Sequence, residues 1–424
     1  MCVNMLFMLH FSQSISNTKL TVKQSNRKSV LDFLRESGEV SIAEISDVLK
    51  ISKPTVKKVV DYYIAKNMVI EAGKGSSGEE GGKKPSLFKF NTEFGYIIAL
   101  HVGPDFIYTV ATDMNVEIRH SYFENIPKID PESTIDLLVD KVRDLIATDW
   151  ARNKLLTSIV IALPGIVNPE TGESVYTPHY PDWGTNYPFR DTFLSRLGIV
   201  VPTYIDGVNR YQAVAEKMKG VAKETSNFMI VDAMEEGVGA GVISNNSLKH
   251  GSQNLSGEIG HMVLQANGPP CICGGKGCFE ALVSVRRINE LLKAGFVGHE
   301  DSLIYRTKND PDVGIDDLFS AAAANDQFAV EVMDQIATWF AIGLNNVIMV
   351  NDPEMIVIQG IYTKAGQQFQ KQLRTKINQM SFPRLSRNVK LVYSDIGRER
   401  GVLGAGCYGL WRFFQNPELY GSDS

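Results

Sequence analysis

A chain of 424 residues, 44% hydrophobic and 21% charged, is too long for one core and too apolar for a disordered polymer, so two or three folded domains are expected. Five cysteines are too few for a disulfide framework and point to a reducing cytoplasm, and no apolar run approaches the ~20 residues of a membrane span. The net charge of −5 hides an asymmetry, because residues 1–91 hold 14 Lys/Arg against 9 Asp/Glu and the remainder 29 against 39. A basic head on an acidic body is the footprint of a fused nucleic-acid-binding module, with chance as the alternative.

Residues 1–22 begin "MCVNMLFMLHF", apolar but short, with no basic n-region and no small-residue cleavage site. They are expected to be a disordered leader rather than a signal peptide. From Arg27 three short helical patterns follow. Val30, Leu31 and Leu34 stripe the first, which stops at Ser37-Gly38. Ser41 and Glu44 form a capping box for the second, with Ile42, Ile45, Val48 and Leu49 inward. Ser52 caps the third, Pro54 stands near its start, and Val56, Val59, Val60, Tyr63 and Ile64 face inward.

That pattern leaves Lys53, Thr55, Lys57 and Lys58 toward solvent beside Ser52, the arrangement of a helix-turn-helix. Lysines supply phosphate contacts, and Ser and Thr hydroxyls reach base edges. "MVIEAG" and "PSLFKFN" read as a hairpin with a Gly/Ser-rich tip ending in Lys83-Lys84, hence a basic wing. The alternative for residues 23–91 is a trihelical interaction domain with merely solvated lysines.

From Gly95 the pattern changes to "YIIALHVG", "FIYTVATDM" and "VEIRHSYF", three strands at meander spacing. Ile135, Leu138, Val139, Val142, Leu145 and Ile146 then share one helical face, and "SIVIALPGIV" reads as a buried strand. A second set repeats the logic: "FMIVDAM" and "GAGVISNN", long helices, then "MIVIQG" after the helix "FAIGLNNVIMV". Two such halves predict a duplicated α/β body, with lobes over 92–211 and 212–400, a C-terminal helix and tail over 401–424, and a ligand cleft between lobes.

Three of the five cysteines, Cys271, Cys273 and Cys278, fall in "CICGGKGC", with His261 ten residues upstream. Three thiolates and one imidazole form the ligand set of a closed structural zinc site. The alternatives are free thiols or a redox pair. Glu258 and Glu280 bracket the set, and two carboxylates beside an imidazole are placed to accept hydrogen bonds from vicinal hydroxyls of a polyol or sugar. Two surface glutamates are the bland alternative.

"GEIGH…CICGGKGCFEA" resembles the signature of the ROK family, which comprises sugar kinases and repressors that join the same body to a winged helix-turn-helix. "KPTVKKVVDYYIAKNMVIEAG" and "GGKKPSLFKFN" are similar to the DNA-binding head of its repressor branch, such as the xylose and N-acetylglucosamine repressors. "LPGIVN", "GVGAGVI", "NNVIMVNDPEMIVIQG" and "LGAG" follow in family order, so the likeness spans about 27–410. It implies a winged helix-turn-helix followed by an actin-like, duplicated RNase H-like, two-lobed body. It also implies Zn2+ on His261, Cys271, Cys273 and Cys278, sugar contacts from Glu258, His261 and Glu280, operator DNA and a sugar inducer as partners, and a homodimer or homotetramer.

The chain departs from the kinase branch at three places. Its Asp-x-Gly-Gly-Thr phosphate loop is here "HVGPD", residues 101–105, where Pro104 removes an N–H and Asp105 repels phosphate. Aligning "PTYIDGVNRYQAVAE" on Glu-Asn-Asp-Ala-Asn puts Val208 at the general-base position and Gly207 at a sugar-contacting asparagine, with Asp206 two residues away. The late Gly-Gly pair becomes Gln359-Gly360. Losing the base alone costs ~10²–10⁴ in rate, so a regulator without kinase activity is expected. A sugar kinase with an appended head and a ligand-independent regulator are the competing readings.

Overall fold

The computed structural model describes residues 21–75, 84–234, 237–306, 313–380 and 388–416. The leader, apart from its last two residues, and Lys83 of the wing lie outside that range. Among the described residues no helix is long and apolar enough to cross a membrane.

The head is built from α1 (Val22–Ser37), β1 (Val40–Ser41), α2 (Ile42–Leu49), α3 (Lys53–Ala65), β2 (Val69–Lys74) and β3 (Ser86–Phe90). Thr21 and Gln24 form a capping box for α1, which therefore starts earlier than the apolar stripe alone suggests, and Gly38 ends it at φ 71°. Ser41 Oγ accepts from Glu44 N while Glu44 Oε2 accepts from Ser41 N, the expected box on α2. Val30, Leu31, Leu34, Ile45, Val56, Val60 and Tyr63 form the core.

Three expectations change here. Val48 and Ile64 are 53% and 40% exposed, because at ~100° per residue each falls at the margin of its helix's stripe. Ser52 occupies the cap position of α3, but its hydroxyl bonds the Thr55 hydroxyl at 2.8 Å rather than a backbone N–H. The wing is also more than a hairpin: β1 pairs with β3 from the side opposite β2, giving the order β1-β3-β2.

The first body sheet contains β4 (Gly95–Val102), β5 (Phe106–Asp113), β6 (Ile118–Asn125) and β7 (Leu155–Leu163), with α4 (Pro131–Ile146) between the last two. Val116, expected to open the third strand, is a buried turn residue at φ 60°. "SIVIALPGIV" is two strands, not one, because Pro164-Gly165 stops β7. Its continuation β8 (Ile166–Asn168) joins β9 (Glu173–Tyr176) and β10 (Thr185–Tyr187) in a separate sheet. After α5 (Phe189–Leu197), β11 (Thr203–Gly207) completes the first sheet as β11-β7-β4-β5-β6.

The second body sheet has the same plan. After α6 (Val208–Met218), β12 (Phe228–Ala233), β13 (Val238–Ser244) and β14 (Ser247–Leu248) form an antiparallel meander. The parallel strands β15 (Met355–Gly360) and β16 (Lys390–Tyr393) complete the order β14-β13-β12-β15-β16. Among the described residues five helices lie between the two parts, α7 (Phe279–Val283), α8 (Val285–Gly295), α9 (Leu303–Arg306), α10 (Ile315–Ala323) and α11 (Gln327–Asn351), and α12 (Gly366–Gln379) lies between β15 and β16. Phe279, Phe340, Tyr362 and Phe369 stack through its core at 4.6–5.4 Å. Meander-then-parallel occurs twice, as the duplicated pattern predicts.

The chain clusters into two compact units: one of residues 21–162, 188–205 and 405–416, the other of 163–187 and 206–404. It crosses between them four times rather than only near 211 and again near 401, where the C-terminal helix was expected to return to the first lobe, since the break at Pro164 sends 163–187 to the second unit. The head therefore groups with the first sheet. The last helix is α13 (Arg400–Gln415), and its residues from 405 onward belong to that unit, where Gly409 packs on Ile97, Ser158 and Val160. Its end reaches the head, with Phe414 5.3 Å from Phe90 and Phe413 5.5 Å from Phe94, and Arg35 lies 4.5 Å over the Phe414 ring.

Candidate metal centre and ligand site

The cysteine loop is shaped by its backbone. Cys271 N donates to Gly275 O and Gly274 N to Cys271 O, closing a tight turn, while Leu264 N binds Gly277 O. Gly277 has φ 67°, and a Cβ there would lie 1.6 Å from Gln265 O, so only glycine fits. His261 comes from a 3-10 turn, Ile259–His261. The donor atoms of His261, Cys271, Cys273 and Cys278 all lie within 4.8 Å of one another.

Cys273 Sγ is 3.8 Å from Cys278 Sγ, and Cys271 Sγ is 3.7 Å from His261 Nδ1. Zinc bonds of ~2.3 Å to sulfur and ~2.0 Å to nitrogen give tetrahedral edges of ~3.8 Å and ~3.6 Å, so the residues fit the ion. Burial, then the acceptor Glu280, pushes the Cys271 thiol far up. Burial opposes ionisation of Cys273 too, but the Gly275 N–H and the neighbouring thiols bring it below its usual value.

The two glutamates converge on the same imidazole. Glu280, buried in the first turn of α7, holds Oε1 3.6 Å from His261 Nδ1 and accepts from the Cys271 thiol at 3.0 Å. Glu258 Oε2 is 4.0 Å from His261 Nε2. Burial raises the Glu258 carboxyl above its usual value against the pull of His261 and Arg210. His261 thus turns one nitrogen to the sulfurs and the other to a half-buried carboxylate. His179 and Glu280 both approach Gly237, where a Cβ would lie 3.7 Å and 3.2 Å from them. His179 was not expected from the sequence, since it lies over 80 residues from the cysteines.

The strand–helix junction carries a second cluster that sequence reading missed. Asp206, 1% exposed at the end of β11, accepts from Arg210 Nη1 at 2.6 Å, from the Gly207 N–H at 2.7 Å, and lies 2.7 Å from His250 Nε2. Burial would raise Asp206, but Arg210 and His250 hold it below the ordinary carboxylate value. The i,i+4 spacing of Asp206 and Arg210 was the available signal, and His250 had none.

At 101–105 the Gly103 N–H is used by Phe106 O at 2.8 Å, and a Cβ on Gly103 would lie 2.2 Å from the Phe106 ring. The ring therefore covers this turn, and the buried His101 packs edge-on to it at 5.0 Å. Gln359, at the end of β15, donates to Glu216 at 2.7 Å with both side chains buried.

On the head, Ser52, Lys53, Lys57, Lys58 and Lys84 are exposed and Thr55 is half-buried. Lys57 pairs with Asp61 at 2.7 Å within α3, an exposed pair of low net strength. These residues lie in the N-terminal half of α3 and, for Lys84, in the connection between β2 and β3.

A ROK family model matches residues 97–409. The chain is 28% identical over 386 residues to the xylose repressor of Bacillus spizizenii, covering 90% of this chain and 94% of that one. It is 29% identical over 246 residues to a glucokinase of Thermotoga maritima, covering 58% and 76%. Among solved structures, a ROK family transcriptional regulator described as a homolog of the E. coli MLC protein superposes with a TM-score of 0.78 at 24% identity, over 92% of this chain and 97% of that one.

Proposed function

The chain belongs to the ROK family, and from that premise we propose that it is a cytoplasmic, DNA-binding transcriptional regulator, a repressor of carbohydrate-metabolism genes whose kinase-like body senses a sugar. The observation that carries this is the head. Alignment with the xylose repressor runs nearly end to end, whereas the glucokinase aligns with little more than half the chain. Residues 21–75 and 84–90 form three helices and a three-stranded wing, which suits an operator-binding domain over 23–91. Lys53, Lys57, Lys58, Lys83 and Lys84 supply phosphate contacts, and Ser52 and Thr55 reach base edges. Two heads in a homodimer or homotetramer read two half-sites.

Zinc on His261, Cys271, Cys273 and Cys278 acts as a structural crosslink. This chain's residues do the rest: Cys278 leads directly into α7, so the loop sets Glu280. With Nδ1 committed to the metal, the His261 Nε2–H donates to a sugar oxygen while Glu258 and Glu280 accept from hydroxyls. Inducer binding in the body changes the spacing of the heads.

The body is read as catalytically inactive on four supports: Val208 at the base position, Asp206 locked by Arg210 and His250, Phe106 over the phosphate turn, and Gln359 tied to Glu216. The glucokinase likeness keeps a sugar kinase with an appended head as the second reading. The test is affinity capture of sheared genomic DNA, sequenced with and without D-xylose, D-glucose and N-acetylglucosamine, beside an ADP-release assay on the same sugars. Discrete sites lost on adding a sugar are the expected result. Sites indifferent to every sugar point to a ligand-independent regulator, and no sites with ADP release establishes the kinase.

A further inference from the structure

Strand β14 ends at Leu248, and the chain then runs without regular structure to Glu258. Such a loop is ordinarily free to sample many positions, yet a ligand carboxylate must be held still to contribute affinity. Backbone bonds to β13 hold its two ends, Lys249 N to Val242 O and Ala240 N to Gly257 O, each at 2.9 Å. Two side-chain points pin the stretch between, and both trace to the β11–α6 junction. His250 Nε2 meets Asp206 Oδ2 at 2.7 Å, and Arg210 Nη2 donates to the carbonyl of Asn254. The same guanidinium binds Asp206 Oδ1 at 2.6 Å and the Val167 carbonyl at 3.3 Å. Asp206 and Arg210 are 1% and 4% exposed, so these are desolvated, charge-assisted contacts.

Asn254 sits at φ 58°, a left-handed turn that the Arg210 contact holds from its carbonyl side. Ser256 N then donates to the His250 carbonyl at 3.0 Å, drawing the loop back on itself just before Glu258. Arg210 is also near enough for its charge to pull on the Glu258 carboxyl. None of this bonding serves the zinc donors, which belong to the turn at 259–261 and the loop after it.

We propose that Asp206, Arg210 and His250 form a latch at the base of the ligand site, in which Arg210 and His250 are positioning residues that fix the loop at 249–258 and thereby place Glu258 for the ligand. The segment aligned with a kinase's catalytic aspartate has on this view become a scaffold for binding. The proposal rests on the sugar-sensing reading above for its ligand, but not for the latch itself. Its physical logic is preorganisation: a charged fork reaching a loop carbonyl removes freedom that the ligand would otherwise have to remove on binding.

The test uses the full-length protein with Arg210→Lys, which keeps the charge but loses the fork, and His250→Gln, which keeps a donor. Hydrogen exchange of amides 250–258 is followed together with zinc content. Exchange about tenfold faster in Arg210→Lys, the scale of one charge-assisted bond, with zinc retained, is the expected result. Unchanged loop exchange, or faster exchange only alongside zinc loss, overturns the latch.

Calorimetric titration with D-xylose, D-glucose and N-acetylglucosamine then reads positioning. For whichever sugar binds, Arg210→Lys should weaken affinity about tenfold, and adding it to Glu258→Gln should weaken affinity no further. Fully additive losses overturn the role of Glu258 as the positioned group. If the unmodified protein binds none of the three, the sugar-sensing reading loses its support, while hydrogen exchange still decides the latch.

Discussion

The end of α13 gives the sharpest prediction about how the head is held. Phe414 is 3% exposed, its ring lies 5.3 Å from Phe90 of β3 and 5.1 Å from Phe413, and Arg35 of α1 covers one face. Replacing it by alanine removes a fully buried aromatic. The transfer contribution is about 1.5–3 kcal/mol, and the cavity and lost ring contacts bring the total to about 3–4 kcal/mol.

That loss falls on the packing of the head, so it should appear as local opening: amides of β3 exchanging about 150- to 700-fold faster, since each ~1.4 kcal/mol is a factor of ten. Amides of β15, in the other compact unit, should not change. A cycle pairing Phe414→Ala with Arg35→Ala should show about 0.5–1 kcal/mol of coupling from the guanidinium over the ring. Unchanged β3 exchange would mean that α13 does not hold the head. Equal acceleration in β3 and β15 would mean a loss of global stability, and either result refutes the argument.

Cys273→Ser removes an exposed donor without emptying a core position, and zinc measured by atomic absorption should drop from one per chain to well below it; full retention would refute the four-residue site. Lys57→Ala with Lys58→Ala should lower the slope of log affinity for DNA against log salt by up to about 1.8, near 0.9 per phosphate contact, measured by fluorescence anisotropy. A smaller change from Lys57 alone is expected because it already pairs with Asp61. Asp326 caps α11 by accepting from Ala329 N, Leu303 N and the Ser302 hydroxyl at 2.8–3.0 Å. Burial raises its carboxyl, but these donors more than offset that and leave it below 3.8. Its stabilisation is therefore present above pH 3.8 and lost as pH falls through the lower folded value. Asp326→Ala should cost about 1–2 kcal/mol by urea unfolding at pH 7 and progressively less toward pH 3.

Local signals were enough for much of the molecule. Helix stripes, the Ser41–Glu44 box and the closely spaced apolar strand runs each depend on neighbours within a few residues, so the head and both meanders were readable from sequence alone. The His/Cys cluster was readable because three cysteines fall within eight positions and glycines shape the turn between them. What failed was marginal or distant. Val48 and Ile64 are apolar but sit at stripe margins, and burial there depends on which partner element arrives. Pro164-Gly165 lay inside an apolar run that gave no sign of a change of sheet.

The sequence by itself determined the order of elements, the basic head and the spacing of the His/Cys cluster. Tertiary structure alone decided what surrounds the 101–105 turn and the β11–α6 junction. Phe106 over Gly103 depends on the fold of one turn, whereas the Arg210–Asn254 and His250–Asp206 contacts join residues 44 positions apart, and Phe414–Phe90 joins the chain's two ends. Burial makes such contacts matter, because a charge or aromatic ring removed from water is stabilised only by what the fold brings to it, and sequence distance carries no record of that partner.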